Sequence, residues 1–410
     1  MAFQWFLVAI LAKTSRDEWV GQLSIAFAIT SPLILLFNLQ IRVSFVADSD
    51  SEIFLKYYST LHALMLVIYL LLILLISTLS PYESTTKIAI IIFGFSKLIE
   101  SCSEIPFAIF QKNGNLNLIA KSQVLKGFFP AITLITISLI TNNFLWGSIL
   151  YLISYLLILI FYDIRNLKNL FFSQYHEVVS LFRLEILSNI INDKMYRYKI
   201  KSLFSTLLPL GVISMLTSYV INIPRFFVEK YNGLVELGIY SSIGYILTAI
   251  CYIALAVGNV TLPLMSLYVK ELNYSSLRIL IIKISFFIIL VSFTGIILCF
   301  YFGTYLLSLL YSPLYAQYSN VLLSMMFVVP FAFCNLFIFN WLLVLKVTGV
   351  QLWIYILQIV ILIVLSQKFV KDFGVVGAVY AQIGSYIVQF FLSVMLLLKF
   401  HRKYFKNYSL

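Results

Sequence analysis

The chain has 410 residues and a formal net charge of +12; 62% of it is hydrophobic and 11% charged. So small a charged fraction excludes an ordinary soluble domain, in which about a quarter of residues carry charge. The basic excess is not a nucleic-acid footprint, because Lys and Arg fall in short gaps between apolar runs and at the C-terminus, as orientation by positive loops requires.

Apolar runs of about 20 residues recur from end to end, the length a membrane helix needs. They lack the alternation of a barrel strand, and in lipid only helices and closed barrels satisfy the backbone. An all-α polytopic membrane protein is predicted, with about 12 transmembrane helices.

The first apolar piece, Met1 to Ala12, has no basic region before it and no small-residue cleavage site after it, so it is not a cleavable signal. It is short for a span. Either the helix continues, tilted, to about Trp19, or part of the first span precedes the recorded start. The second span is Val20 to Leu39, ending in Gln40-Ile41-Arg42. A polar loop, ADSDSEIFLKYYS, leads to the third, Thr60 to Leu79, closed by Pro81.

The fourth span, Lys87 to Phe110, contains FSKLIESCSEIPFAIFQ, with Lys97, Glu100 and Glu104 at i, i+3 and i+7. That spacing puts all three on one helical face. A charge at mid-bilayer costs about 2.5–3.5 kcal/mol on insertion scales, and such residues face a bundle interior or a wet cavity. Two readings stand: the trio snorkels near a helix end and neutralises itself in ion pairs, or its face lines a cavity for something hydrophilic.

The fifth span, Val124 to Ile140, is broken by Pro130, and Asn142-Asn143 turn the chain into the sixth, Leu145 to Tyr162. The polar segment Asp163 to Ser202 follows, with seven basic residues including Arg183 and with apolar residues at helical spacing. It predicts an amphipathic helix on the cytoplasmic membrane surface. It also divides the chain into an N-terminal bundle (1–162), a linker (163–202) and a C-terminal bundle (203–410), with six spans in each bundle.

In the second half the spans are Leu203 to Ile223, Val235 to Leu267 (break points at Gly258, Asn259 and Pro263), Leu277 to about Phe302 with an interfacial helix on to Tyr311, Val321 to Val344, Val350 to Leu365 and Gly374 to Leu398. With both termini cytoplasmic, 20 Lys and Arg fall inside, Lys126 among them, and seven outside. The imbalance sets the orientation. Val20-Gly21-Gln22-Leu23-Ser24 and Leu237-Gly238-Ile239-Tyr240-Ser241 each open the second helix of a half with a glycine three residues before a serine, which points to an internal repeat suited to alternating access.

Cys102, Cys251, Cys299 and Cys334 lie far apart within apolar runs, and His62, His176 and His401 are scattered; none has metal-ligand spacing. Enzyme motifs are absent: there is no nucleophile elbow, phosphate loop or dinucleotide turn. No resident cofactor is expected. Arg42 and Arg225 each follow an apolar run at a predicted helix end, on opposite membrane sides. They either snorkel or offer bidentate capture of phosphate or an acidic sugar. Glu100 and Glu104, if dry, are candidates for coupling to H+ or Na+.

Several segments resemble bacterial polysaccharide flippases of the Wzx type. NLQIR (Asn38 to Arg42) is similar to the end of their second helix, and KLIESCSEIPFAIFQKNGN (Lys97 to Asn115) to their fourth-helix region. INIPRFFVEKYNGLVELGIYSSIGYI (Ile221 to Ile246) is similar to the link between their seventh and eighth helices. GVVGAVYAQIGSYIVQ (Gly374 to Gln389) fits as well. Family members usually begin with a longer first helix, and the abrupt N-terminus is where this sequence departs from them. The resemblance implies the multidrug/oligosaccharidyl-lipid/polysaccharide exporter fold, two six-helix bundles around a central cavity. It implies a transporter rather than an enzyme, one that moves undecaprenyl-diphosphate-linked repeat units across the bacterial inner membrane for O-antigen or capsule assembly. A glycan polymerase and a chain-length regulator would be its partners, with the bilayer itself. Arg42, Lys97 and Arg225 would contact phosphate or sugar, and Glu100 and Glu104 would couple to an ion or meet sugar hydroxyls. A drug or metabolite antiporter of the same superfamily is the alternative. A glycan polymerase would need a large outer loop, and the longest outer gap, Pro224 to Leu234, is short.

Overall fold

A computed structural model describes residues 2–14, 16–48, 55–180, 193–271, 273–345 and 349–406. Among them every regular element is a helix. The chain forms two compact units: Met1–Leu7 with Ile25–Tyr219, and Val8–Ser24 with Val220–Leu410.

Helix α1 (Ala2–Lys13) does not continue to Trp19. The Thr14 hydroxyl turns back to the Leu11 carbonyl at 2.9 Å, and α2 (Asp17–Phe37) starts afresh. Asp17 and Glu18 occupy its first turn, where the helix dipole favours negative charge.

The first unit then carries α3 (Ile41–Ala47), α4 (Leu55–Leu79), α5 (Ser84–Ser101), α6 (Glu104–Lys112), α7 (Leu116–Thr141) and α8 (Phe144–Ile158). Asn142 takes the left-handed conformation at φ 53°, and the Asn143 side chain accepts from Leu145 N, so the predicted two-asparagine turn is present. The predicted break at Pro130 is absent, and α7 runs through it. Within apolar surroundings a helix that loses one bond at proline keeps the rest, because an unpaired backbone group has no water to turn to. A π turn, Leu159–Ile164, follows α8, then α9 (Arg165–Leu170) and α10 (Phe172–Ser180). Of the segment predicted to form an amphipathic surface helix, the stretch 181–192, Arg183 included, lies outside the described residues. Leu39, Phe45, Leu61, Phe107 and Phe110 belong to one buried apolar cluster of this unit.

The run Lys194–Lys270 holds two helices, α11 (194–232) and α12 (234–270), joined at Gly233 with φ 85° and ψ −179°. Only glycine adopts that conformation without strain. The expected outer loop from Pro224 to Leu234 is therefore helical up to Gly233, and no break occurs at Gly258, Asn259 or Pro263. Helix α13 (Tyr274–Leu310) has 37 residues and shows no break near Phe302. At 1.5 Å per residue it is about 55 Å long, well beyond the hydrocarbon core. A 3₁₀ turn (Pro313–Tyr318), α14 (Ser319–Met326) and α15 (Val328–Val344) follow. In the run Gly349–Lys406, α16 (349–373) and α17 (375–406) meet at Gly374, φ 58°.

Among the described residues eight helical runs are long and apolar enough to cross a membrane. Large apolar side chains face outward, Leu79 75% and Ile140 78% exposed in the first unit and Phe286 65% in the second. Such surface is stable against lipid and not against water.

Candidate functional site

The predicted single charged face of Lys97, Glu100 and Glu104 is split, because α5 ends at Ser101 and α6 begins at Glu104. Pro106 supplies the reason. It has no N–H to offer the Cys102 carbonyl, and its ring crowds that carbonyl. The backbone tightens there, with Ser103 N bonding Glu100 O at 3.2 Å. Lys97 and Glu100 stay together on α5, Nζ to Oε2 at 2.7 Å. Glu104 opens α6 and faces Arg42 of α3 at 3.7 Å.

Arg42 does not end a long helix. Leu39 and Gln40, both with positive φ, turn the chain after α2, and Arg42 is the second residue of α3. The Gln40 amide donates to Ser214 Oγ at 2.8 Å and fixes that turn. Arg42 Nε stands 3.7 Å from Glu104 Oε2, too far for a hydrogen bond, so the contact is not a bidentate fork. Lys97 also lies over the Phe27 ring at 5.5 Å. The four side chains are 15% to 33% exposed. They form one close pair, Lys97–Glu100 at 2.7 Å, and one loose pair, Arg42–Glu104 at 3.7 Å, both partly open and within otherwise apolar helices. Such pairs are weak enough to exchange their internal partner for an anionic or hydroxyl-bearing ligand.

Beneath them lies a charged pair that sequence reasoning missed. Lys126 of α7, assigned to a cytoplasmic gap, is 3% exposed, and Asp163, taken as the start of the linker, is fully buried. They bond at 2.6 Å. The Ser103 hydroxyl, at the α5–α6 break, donates to the same Asp163 oxygen at 2.7 Å, and Lys126 Nζ also reaches Ser103 Oγ. Lys126 sits over the Phe107 ring at 4.9 Å. The π turn at Leu159–Ile164 carries Asp163 inward, and such turns recur at functional positions. His62 is buried beside Ser101, its Nε2 3.1 Å from Ser101 Oγ, and Ser101 Oγ donates to Asn38 Oδ1.

Arg225, the fifth predicted residue, lies in the second unit. It is not at a helix end but about two turns before Gly233, half-buried, and donates to Asn222 Oδ1 at 3.0 Å. The same unit holds a buried acid that was not anticipated. Asp17 Oδ1 accepts from the Tyr315 hydroxyl at 2.6 Å, and the Tyr311 hydroxyl donates to Ser242 O at 2.6 Å. Around it the two glycines of the predicted repeat meet. A Cβ on Gly21 would stand 2.0 Å from the Leu234 carbonyl oxygen, and one on Gly238 would stand 2.1 Å from that of Asp17. Each glycine thus receives the carbonyl four residues before the other, a reciprocal crossing. It is the close approach for which membrane helices use small residues. Among the described residues no group of three or more His, Cys, Asp or Glu is placed to hold a metal.

Two solved structures share this architecture. An inward-facing MATE family multidrug resistance transporter of the MOP superfamily aligns with a TM-score of 0.72 at 14% identity, over 97% of this chain and 95% of its own. The lipid II flippase MurJ, in an inward closed conformation, aligns with a TM-score of 0.64 at 15% identity, over 97% and 85%. The chain therefore has the fold of the MOP-superfamily transporters, as the Wzx resemblance implied. By sequence it is similar to the capsular polysaccharide biosynthesis protein CapF of Staphylococcus aureus, 24% identical over 375 residues, 92% of this chain and 90% of CapF. No family model matches the chain.

Proposed function

We propose that this protein is a flippase for undecaprenyl-diphosphate-linked oligosaccharide repeat units, acting across the bacterial inner membrane in capsule assembly. The observation that carries the reading is the group of half-open ion pairs Arg42–Glu104 and Lys97–Glu100 within otherwise apolar helices. A glycan passing a membrane needs a wet, charged surface, and its diphosphate needs cations. The likeness to CapF supports the substrate class, and the fold shared with a lipid II flippase supports a lipid-linked cargo.

In this reading Arg42, Lys97 and Arg225 contact phosphate or sugar. Glu100 and Glu104 couple transport to H+ or Na+, or bond sugar hydroxyls. The two compact units, Met1–Leu7 with Ile25–Tyr219 and Val8–Ser24 with Val220–Leu410, act as the two bundles of an alternating-access transporter, with both termini cytoplasmic. A polymerase and a chain-length regulator take the product onward.

The test is complementation of a strain lacking its own repeat-unit flippase, with the matching capsule pathway supplied. Surface polysaccharide should return and internal lipid-linked repeat units should fall. Protein that inserts but leaves the glycan inside, and instead lowers drug sensitivity, would replace this reading with multidrug transport, the activity named for the MATE family transporter that shares the fold.

A further inference from the structure

Within the second unit lies a cavity of about 80 Å³ whose polar lining is Arg225, Tyr240, Ser241, Thr248, Gln382 and Tyr386. No Asp or Glu borders it. Among the described residues no carboxylate pairs with Arg225; its one assigned bond goes to Asn222, one turn back on the same helix. Two further wall groups are unsatisfied. Among the described residues Ser241 Oγ and Gln382 Oε1 have no hydrogen-bond partner, although Ser241 is 1% and Gln382 6% exposed. Buried polar groups are satisfied in the great majority of cases, so two on one small cavity call for a ligand or bound water. Thr248 is already occupied, donating to Gly244 O at 2.9 Å.

The chemistry of the wall selects the ligand. Arg225 supplies only donors, the serine hydroxyl rotates to donate, and rotating the Gln382 amide turns its NH₂ inward. With a fixed positive charge and no carboxylate, the cavity repels a cation and attracts an anion. Size narrows the class. An apolar cavity of about 150 Å³ takes benzene, so half that volume admits a few heavy atoms and not a sugar ring. We infer that the second unit binds one small anionic group, of chloride to carboxylate size, on Arg225, Ser241 and Gln382. The group is either a free anion or the carboxylate of an acidic sugar. The sugar-carboxylate form of the inference rests on the flippase reading; the free-anion form does not.

Purified full-length protein in micelles, in the sodium salt of a bulky ring sulfonate, would be titrated at constant ionic strength with chloride, formate or methyl glucuronide while Tm is followed. A saturable rise in Tm is expected. Arg225→Gln should weaken the response by at least about tenfold, the loss of one charge-assisted bond. Gln382→Glu places a carboxylate beside Arg225. It should abolish the response while keeping Tm at or above wild type in the sulfonate, and it carries the test if Arg225→Gln fails to fold. A response to chloride and formate alone assigns a free anion; a response to the glucuronide that chloride competes away assigns the sugar carboxylate. No saturable response to any of the three, or one unchanged in both variants, overturns the site. Anion binding that survives in a protein unable to restore glycan export would sink the flippase reading alone.

Discussion

Lys126→Met removes the cation of a pair whose partners are 3% and 0% exposed. At 2.6 Å and an effective dielectric near 20, their attraction is about 6 kcal/mol. Desolvating each ion costs several kcal/mol, so the intact pair contributes little net stability. The variant is another matter. Asp163 would be left with only the Ser103 hydroxyl as donor, and its other oxygen, Oδ1, already lacks a partner among the described residues. Removing one partner of a buried pair in this way costs about 3–5 kcal/mol. The double variant Lys126→Met/Asp163→Leu removes both charges and should return to within about 1.5 kcal/mol of wild type, the cost of a volume-conserving core change. Reversible unfolding of the purified protein in micelles, arranged as a double-mutant cycle, reads the coupling. Single variants within about 0.5 kcal/mol of wild type, or a double variant equal to the sum of the singles, would refute the argument that this pair is held dry.

The ion pairs above it should behave oppositely. Arg42→Gln and Glu104→Gln break a pair about a quarter to a third exposed, so unfolding free energy should move by less than about 1 kcal/mol while surface glycan in the complementation strain falls sharply; normal export in both would remove these residues from the site. Gly21→Ala and Gly238→Ala each drive a methyl to within about 2 Å of a carbonyl oxygen. Each should lose at least about 1–3 kcal/mol, seen as a lower Tm and less monodisperse protein on gel filtration. Gly233→Ala meets nothing within 4 Å yet must hold φ 85°, so its loss of about 1–3 kcal/mol would be backbone strain alone. Tyr315→Phe takes the donor from buried Asp17 and should cost about 1.5–3 kcal/mol, with an unchanged Tm as the result against it.

The helical class, the apolar runs and the Asn142-Asn143 turn were legible because hydrophobicity and turn chemistry are local properties of the chain. The departures cluster at prolines and glycines, where a residue type carries two meanings. Pro130 and Pro263 read as breaks and are absorbed in continuous helices, whereas Pro106 does split one, separating Glu104 from Lys97 and Glu100. Sequence gives the missing N–H in each case; which neighbour takes up the freed carbonyl is settled by packing. Gly233 and Gly374 carry their turns alone, so gaps that looked like loops proved to be helix with one left-handed residue. The buried Lys126–Asp163 pair was missed for a related reason. Counting charges between spans presumes that a lysine near a span boundary is solvated, yet Lys126 lies well inside α7 and a π turn rotates Asp163 inward to meet it. Both partners join Ser103, the residue at the α5–α6 break. The dry pair therefore fixes the point at which the chain separates Glu100 from Glu104. The two half-open carboxylates above it take their positions from a proline that breaks the helix and a buried charge that holds the break in place.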